Sequence, residues 1–166
     1  MLFGGTFRHT IDAKNRLAIP LAFRRQLEQP GVEKAFVARP VRKTEQGLTR
    51  RYLELMMVGD FQAGTDFAGT ERKLNLSARE ADLLDATYAD VATLTLDSQN
   101  RVLIPEDVML KPGQDDPFHK RFLGVDVYVV GNRDRICVWN ASEYIDYRAQ
   151  RDQILAAGSA AAGQNT

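Results

Sequence analysis

A single cysteine, Cys137, in 166 residues rules out any internal disulfide, so nothing staples the fold and a reducing, cytoplasmic setting is expected. No stretch approaches the roughly 20 uninterrupted apolar residues that a membrane-spanning helix needs. The opening run MLFGGTFRHTIDAKNR lacks the apolar core of a secretory signal. Two distant histidines, and a lone cysteine inside the apolar run Ile136-Cys137-Val138-Trp139, offer little for nucleophilic or metal chemistry. Walker, H-E-x-x-H, C-x-x-C and G-x-S-x-G motifs are absent, and Gly4-Gly5 is too short to cradle a phosphate. The expectation is a protein without catalytic residues, metal or cofactor.

Net charge is also missing, with 22 Lys+Arg against 22 Asp+Glu, which excludes a uniformly basic nucleic-acid coat. The balance hides a split. Up to Arg51 there are 11 basic and 4 acidic residues, and the remainder carries 11 basic and 18 acidic. Such asymmetry suggests one region facing a polyanion and an acidic body. At 44% hydrophobic and 27% charged the chain is globular, long enough for one ordinary domain or two small ones.

What the chain does have is self-similarity. TIDAKNRLAIP at 10–20 recurs as TLDSQNRVLIP at 95–105, with six of eleven positions identical: Thr10/Thr95, Asp12/Asp97, Asn15/Asn100, Arg16/Arg101, Ile19/Ile104 and Pro20/Pro105. Each copy reads as strand, turn, strand and short helix. A strand over 5–11 or 91–96 leads into Asp-Ala-Lys-Asn or Asp-Ser-Gln-Asn. In these turns Asp accepts hydrogen bonds from the following backbone N–H groups and Asn tolerates a left-handed conformation. The following Arg begins a second strand, and proline then ends pairing and opens a helix, over 21–28 or 106–110.

A strand pair should follow each helix: 34–38 with 52–57 in the first half, and 125–130 with 135–139 around the polar turn 131–134 in the second. The Arg/Lys-rich stretch 40–51 interrupts the first pair as a long loop. Ser77-Ala-Arg-Glu80 is a capping box that opens a linking helix over 77–90. These boundaries divide the chain into a first repeat at 1–76 with its basic loop insertion at about 40–51, the linking helix, a second repeat at 91–147, and a helix end with a disordered tail at 148–166.

The run F-G-x-x-x-x-H-x-I-D-x-K-x-R-L-x-I-P-x-x-F-R-x-x-L at 3–27 is similar to the start of MraZ proteins. The copy L-D-x-x-x-R-V-x-I-P, followed by V-x-V-V-G and I-C-V-W-N, resembles their second half. The resemblance covers roughly 3–147, broken at 40–51 and 112–121. Family members often have Gly before the motif Arg where this chain has Asn15 and Asn100, and Asn is the next best residue for a positive φ. The resemblance implies a mainly β fold with short helices, an AbrB-like swapped-hairpin barrel built from both repeats. It further implies self-association into a closed ring and a cytoplasmic, nucleoid-associated regulator of transcription. Such a regulator would bind double-stranded DNA at short direct repeats in a promoter and repress the division and cell-wall gene cluster that includes its own gene.

On this chain the resemblance points to Arg16 with Lys14, and through the second copy to Arg101. Arg8, Arg24 and Arg25 are further cations around the first copy, while the second has Gln99 in place of Lys14. Cations at phosphates supply most DNA affinity, and an Arg at a turn can grip guanine O6 and N7 with two bonds. Asp12, Asn15, Asp97 and Asn100 are read as turn organisers. The residues alone leave two roles open for each motif Arg, a DNA contact or a bond to an acidic neighbour. The solvated polar face of a short helix accounts equally for Arg24 and Arg25. A partner-binding scaffold or antitoxin-like protein on the same fold is the alternative function, since fold does not fix function.

Overall fold

The structure, a computed structural model, describes residues 2–62, 79, 82, 88–89, 91–105 and 123–163. Its first half runs through strands β1 (Phe3–Thr10) and β2 (Arg16–Ala18), helix α1 (Leu21–Leu27), and the long strands β3 (Ala35–Glu45) and β4 (Leu48–Met57). The second half contains β5 (Ala92–Thr95), β6 (Arg101–Leu103), β7 (Asp126–Arg133) and β8 (Arg135–Asn140), and then helix α2 (Ala141–Gly163).

Neither half is self-contained. Strand β1 pairs antiparallel with β7, Thr10 facing Asp126, and β5 pairs with β3, Thr95 facing Ala35. The first strand of each half is therefore completed by a strand of the other. Pairing is also reciprocal at the centre. Leu17 faces its counterpart Val102 between β2 and β6, and Leu53 faces Val138 while Leu55 faces Ile136 between β4 and β8. The outcome is a curled six-stranded sheet in the order β1-β7-β8-β4-β3-β5 and a two-stranded ribbon of β2 and β6, the mainly β swapped-hairpin architecture that the family resemblance implies.

Period-2 alternation then sorts the side chains. Leu53, Leu55, Val127, Val129, Ile136 and Val138 face one way and pack with Leu17, Ile19, Val102 and Ile104 of the ribbon segments. Helix α1 joins this core through Phe23, whose ring meets Phe3 and Phe7 edge-on at 5.4 and 5.2 Å. Such contacts add about 0.5–1.5 kcal/mol each beyond area burial. The alternate residues Tyr52, Cys137 and Trp139 face the other way and pack with Tyr144 and Tyr147 of α2. The sheet thus separates the ribbon from α2.

The stretch 40–51 is not a loop. β3 and β4 pair continuously from Phe36 opposite Met57 to Glu45 opposite Leu48, closed by Gln46 and Gly47 at φ 52° and 77°, the positive-φ pair of a tight hairpin. Pro40 misleads a sequence reading because it argues against a strand. Here β5 ends at Ala92 opposite Ala38, so beyond it β3 is an edge strand, where proline is tolerated. The second hairpin is likewise tighter than the expected turn at 131–134. β7 runs to Arg133, whose φ is 62°, and Asn132 pairs with Arg135. The C-terminal helix continues to Gly163 rather than giving way to a disordered tail within 148–166, its alanines being strong helix formers. Asn140 caps it, its Oδ1 accepting from the backbone N–H groups of Ser142 and Glu143 at 3.1 and 3.3 Å. Of the expected linking helix 77–90, Arg79, Asp82, Tyr88 and Ala89 are helical and the rest lies outside the described residues, as do the expected helix 106–110 and the loop 112–121.

Candidate functional site

The two Asp-x-x-x-Arg turns have the same internal bonding. Asp12 Oδ1 accepts from the backbone N–H of Lys14 and of Arg16, both at 2.9 Å, and Asp97 Oδ1 accepts from Gln99 and Arg101 at the same distances. Asn15 and Asn100 take φ values of 60° and 56°, so asparagine fills the left-handed position. Each turn closes with Asn N–H donating to the Asp carbonyl, at 3.0 Å for Asn15 and 2.9 Å for Asn100. Backbone donors hold both carboxyls below the ordinary value of 3.8. The arginine side chain adds to this, while burial opposes it in part. Asp12 and Asp97 therefore organise their turns.

The copies are also bonded to each other. Ile19 N–H donates to the Asn100 carbonyl at 3.0 Å, and Ile104 N–H donates to the Asn15 carbonyl at 2.8 Å. Arg16 lies opposite Leu103 and Arg101 opposite Ala18, so the turn with Asp12, Lys14, Asn15 and Arg16 and the turn with Asp97, Asn100 and Arg101 sit at the two ends of one ribbon, on the side of the sheet away from α2.

The two arginines differ in how firmly they are held. Arg16 meets Asp12 Oδ2 through Nε at 2.7 Å. Arg101 engages Asp97 Oδ2 through both Nε and Nη2, each at 2.8 Å. Lys14 is exposed and has no ion pair among the described residues. The outer cations are not equivalent either. Arg8 pairs with Asp126 at 3.3 Å across β1 and β7, and Arg24 donates from Nε to the Ile19 carbonyl at 2.6 Å. Arg25 is exposed on α1. Burial, then the charge of Arg24, lowers the pKa of His9, which leaves its imidazole neutral near pH 7.

The basic stretch is largely engaged by neighbours. Arg39 donates to Glu54 Oε1 at 2.8 Å, Arg51 pairs with Glu143 of α2, and Arg50 lies over the Tyr147 ring. Arg42 and Lys43 are exposed and carry no ion pair among the described residues. Sequence reading missed Glu54, which is 3% exposed and is gripped by Arg39 and, at Oε2, by Arg135 at 2.8 Å. An acidic residue in the apolar run Leu53-Glu54-Leu55 was the available signal, because a carboxylate at a core strand needs a cation. The aromatic cluster under α2 gave no motif at all.

No family model matches the chain. It is similar over nearly its whole length to proteins named transcriptional regulator MraZ. That of Ureaplasma urealyticum serovar 10 is 26% identical, covering 93% of this chain and 92% of its own. That of Acetivibrio thermocellus is 25% identical, over 96% and 94%, and that of Symbiobacterium thermophilum 27%, over 90% and 92%.

Proposed function

Since the chain belongs to the MraZ family of transcriptional regulators, we propose that it binds double-stranded DNA sequence-specifically through the ribbon carrying its two Asp-x-x-x-Arg turns. The observation that supports this most is the bonding of the turns. Each Asp uses its carboxylate on its own loop, which rigidifies a short protrusion and aims an arginine from it. A guanidinium positioned in advance loses little freedom on meeting a base edge. Arg16, held through Nε, keeps its terminal nitrogens for guanine O6 and N7, and Lys14 beside it supplies a phosphate contact. Arg101, bound twice by Asp97, and Gln99 make the second turn the weaker one. Arg8, Arg24 and Arg25 then act as peripheral charges.

One such site per chain is weak, and the reading therefore includes a closed ring that presents several sites to evenly spaced direct repeats. Linked sites gain affinity through effective concentration without new contacts. A ring seated on its own promoter, upstream of the division and cell-wall genes, represses by blocking polymerase. The test is a gel-shift titration of the chain's own upstream region with one to four repeats, at graded salt, with light scattering to count subunits. Affinity should climb steeply with repeat number and fall linearly in log–log form with salt. Equal binding to unrelated DNA, or a flat response to repeat number, overturns the reading.

A further inference from the structure

The face of the sheet opposite the ribbon carries a second concentration of chemistry. Trp139 meets two further rings, Tyr52 tilted at 4.9 Å and 32° and Tyr147 stacked at 4.8 Å and 22°. Two guanidiniums converge on the last of these, Arg50 from β4 at 5.6 Å and Arg151 from α2 at 6.0 Å from the Tyr147 centroid. The rings and arginines line a cavity of about 290 Å³, floored by Gly131 and Cys137 and edged by Asn132. This volume lies near the lower end of the range for small-molecule sites.

Charge and hydrogen bonding give the cavity a sign. Arg50 Nε is buried without a hydrogen-bond partner among the described residues, and the nearest carboxylate to its guanidinium, Glu45, stands off at 3.7 Å and is largely exposed. Among the described residues Arg151 is paired only with its sequence neighbour Asp152, also well exposed. Among the described residues, none that lines the cavity is acidic. Burial, reinforced by the charge of Glu54, pushes the Cys137 thiol up to about 12, and burial with neighbouring negative charge does the same to the Tyr52 phenol. Both are neutral at physiological pH. Paired arginines are suited to a carboxylate or phosphate through parallel N–H bonds, and Tyr and Trp rings are suited to a flat partner.

We propose that this cavity is a binding site for a small anion bearing a flat ring, a mononucleotide or an aromatic carboxylate, whose acid group lies between Arg50 and Arg151 and whose ring packs against the Tyr52/Trp139/Tyr147 array. The site is separated by the sheet from the proposed DNA-binding turns, and the proposal does not depend on DNA binding.

Trp139 is the only tryptophan in the chain, so its fluorescence reports the cavity alone. The full-length protein is titrated with adenosine monophosphate and with 4-hydroxybenzoate, and separately with adenosine, phenol and inorganic phosphate. At least one ring-plus-acid probe should change the emission saturably, with a dissociation constant at least roughly tenfold below those of its separate halves, as joined fragments do. Which probe succeeds tells phosphate from carboxylate. Arg50→Ala and Arg151→Ala should each weaken that binding roughly tenfold, the effect of losing one charge-assisted bond, with the thermal midpoint preserved. Lys34→Ala, a cation remote from the cavity, should leave it unchanged. No saturable response to either probe, equal affinity in the arginine variants, or equal loss in Lys34→Ala overturns the proposal. So does full displacement of the probe by non-specific DNA, which would make the cavity part of a nucleic-acid surface.

Discussion

Replacing Arg16 with alanine separates a DNA contact from a structural role, because the structure specifies how little the fold needs this side chain. The backbone bonds of residue 16, whose N–H donates to Asp12 Oδ1 and whose carbonyl accepts from Asp12 N–H, survive in alanine. What is lost is one Nε bond to Asp12, with both side chains about a third exposed, and exposed pairs of this kind contribute little to stability. Thermal and urea midpoints should therefore stay close to wild type, and the proposed ring should elute as it does for wild type. A lost two-bond contact to guanine costs about 1–3 kcal/mol, roughly 5- to 150-fold per site. On an operator with several repeats the losses compound. Fluorescence anisotropy on single-repeat and four-repeat DNA measures both. Arg101→Ala, acting on an arginine already bound twice, should lose several-fold less. If Arg16→Ala unfolds the protein or dissolves the assembly, the arginine is a structural brace. If it binds four repeats as wild type does, this turn does not read DNA.

Three further outcomes follow from groups outside that contact. Glu54→Ala removes the acceptor shared by Arg39 and Arg135 and should destabilise the chain by about 2 kcal/mol in urea unfolding. That is below the roughly 3–5 kcal/mol of a fully buried pair, because the two guanidiniums are 35% and 28% exposed and can rehydrate. Wild-type stability in this variant would refute the account. Asp12 and Asp97 have folded pKa values depressed below 3.8. Their contribution is complete above that unfolded value and disappears as pH falls through the folded values. The share of stability owed to these two carboxyls should hold down to about pH 5 and fall below it, apart from the earlier loss that His9, its pKa lowered from 6.5, brings below that value, and the double variant Asp12→Asn/Asp97→Asn should reduce the acid drop in pH-dependent thermal melts. Cys137, with its thiol pushed up to about 12, should react with iodoacetamide at about pH 8 roughly a thousandfold more slowly in the native protein than after unfolding, since only the thiolate attacks. Comparable rates would mean that the strand opens.

Legibility in the sequence followed how local the determining interactions are. The turns were readable because Asp12 and Asn15 act on residues within four positions, and Asp97 and Asn100 repeat the pattern. Strand exchange between the halves was readable only through the resemblance, because nothing in residues 3–10 says that they pair with 126–133 rather than with their own half. The hairpin at 40–51 was misread because edge status, which permits Pro40, depends on where β5 stops. The Glu54 cluster joins Arg39 and Arg135, residues far apart in the chain that the sheet brings together. Cations in the basic stretch looked available because their partners, such as Glu143, lie in the other half.

This last point changes the meaning of the charge split. A chain with an excess of seven cations up to Arg51 and an equal excess of anions after it invites the reading of a basic DNA-facing edge on an acidic body. Strand exchange makes the two parts neighbours instead. Arg8 meets Asp126 and Arg51 meets Glu143, each pair joining the basic part to the acidic one. The asymmetry therefore favours correct docking of the halves, since like-charged edges would repel a wrong register. Among the described residues, the cations near the turns outside such pairs are few, Lys14, Arg24, Arg25 and Lys34, with Arg42 and Lys43 on the hairpin. A DNA affinity resting on so few charges per chain should show a shallow salt slope for one subunit. Only assembly multiplies it, so the measured slope on repeated DNA should scale with the number of subunits in contact. A slope as steep on a single repeat as on four would show that charges now assigned to the halves act on DNA instead.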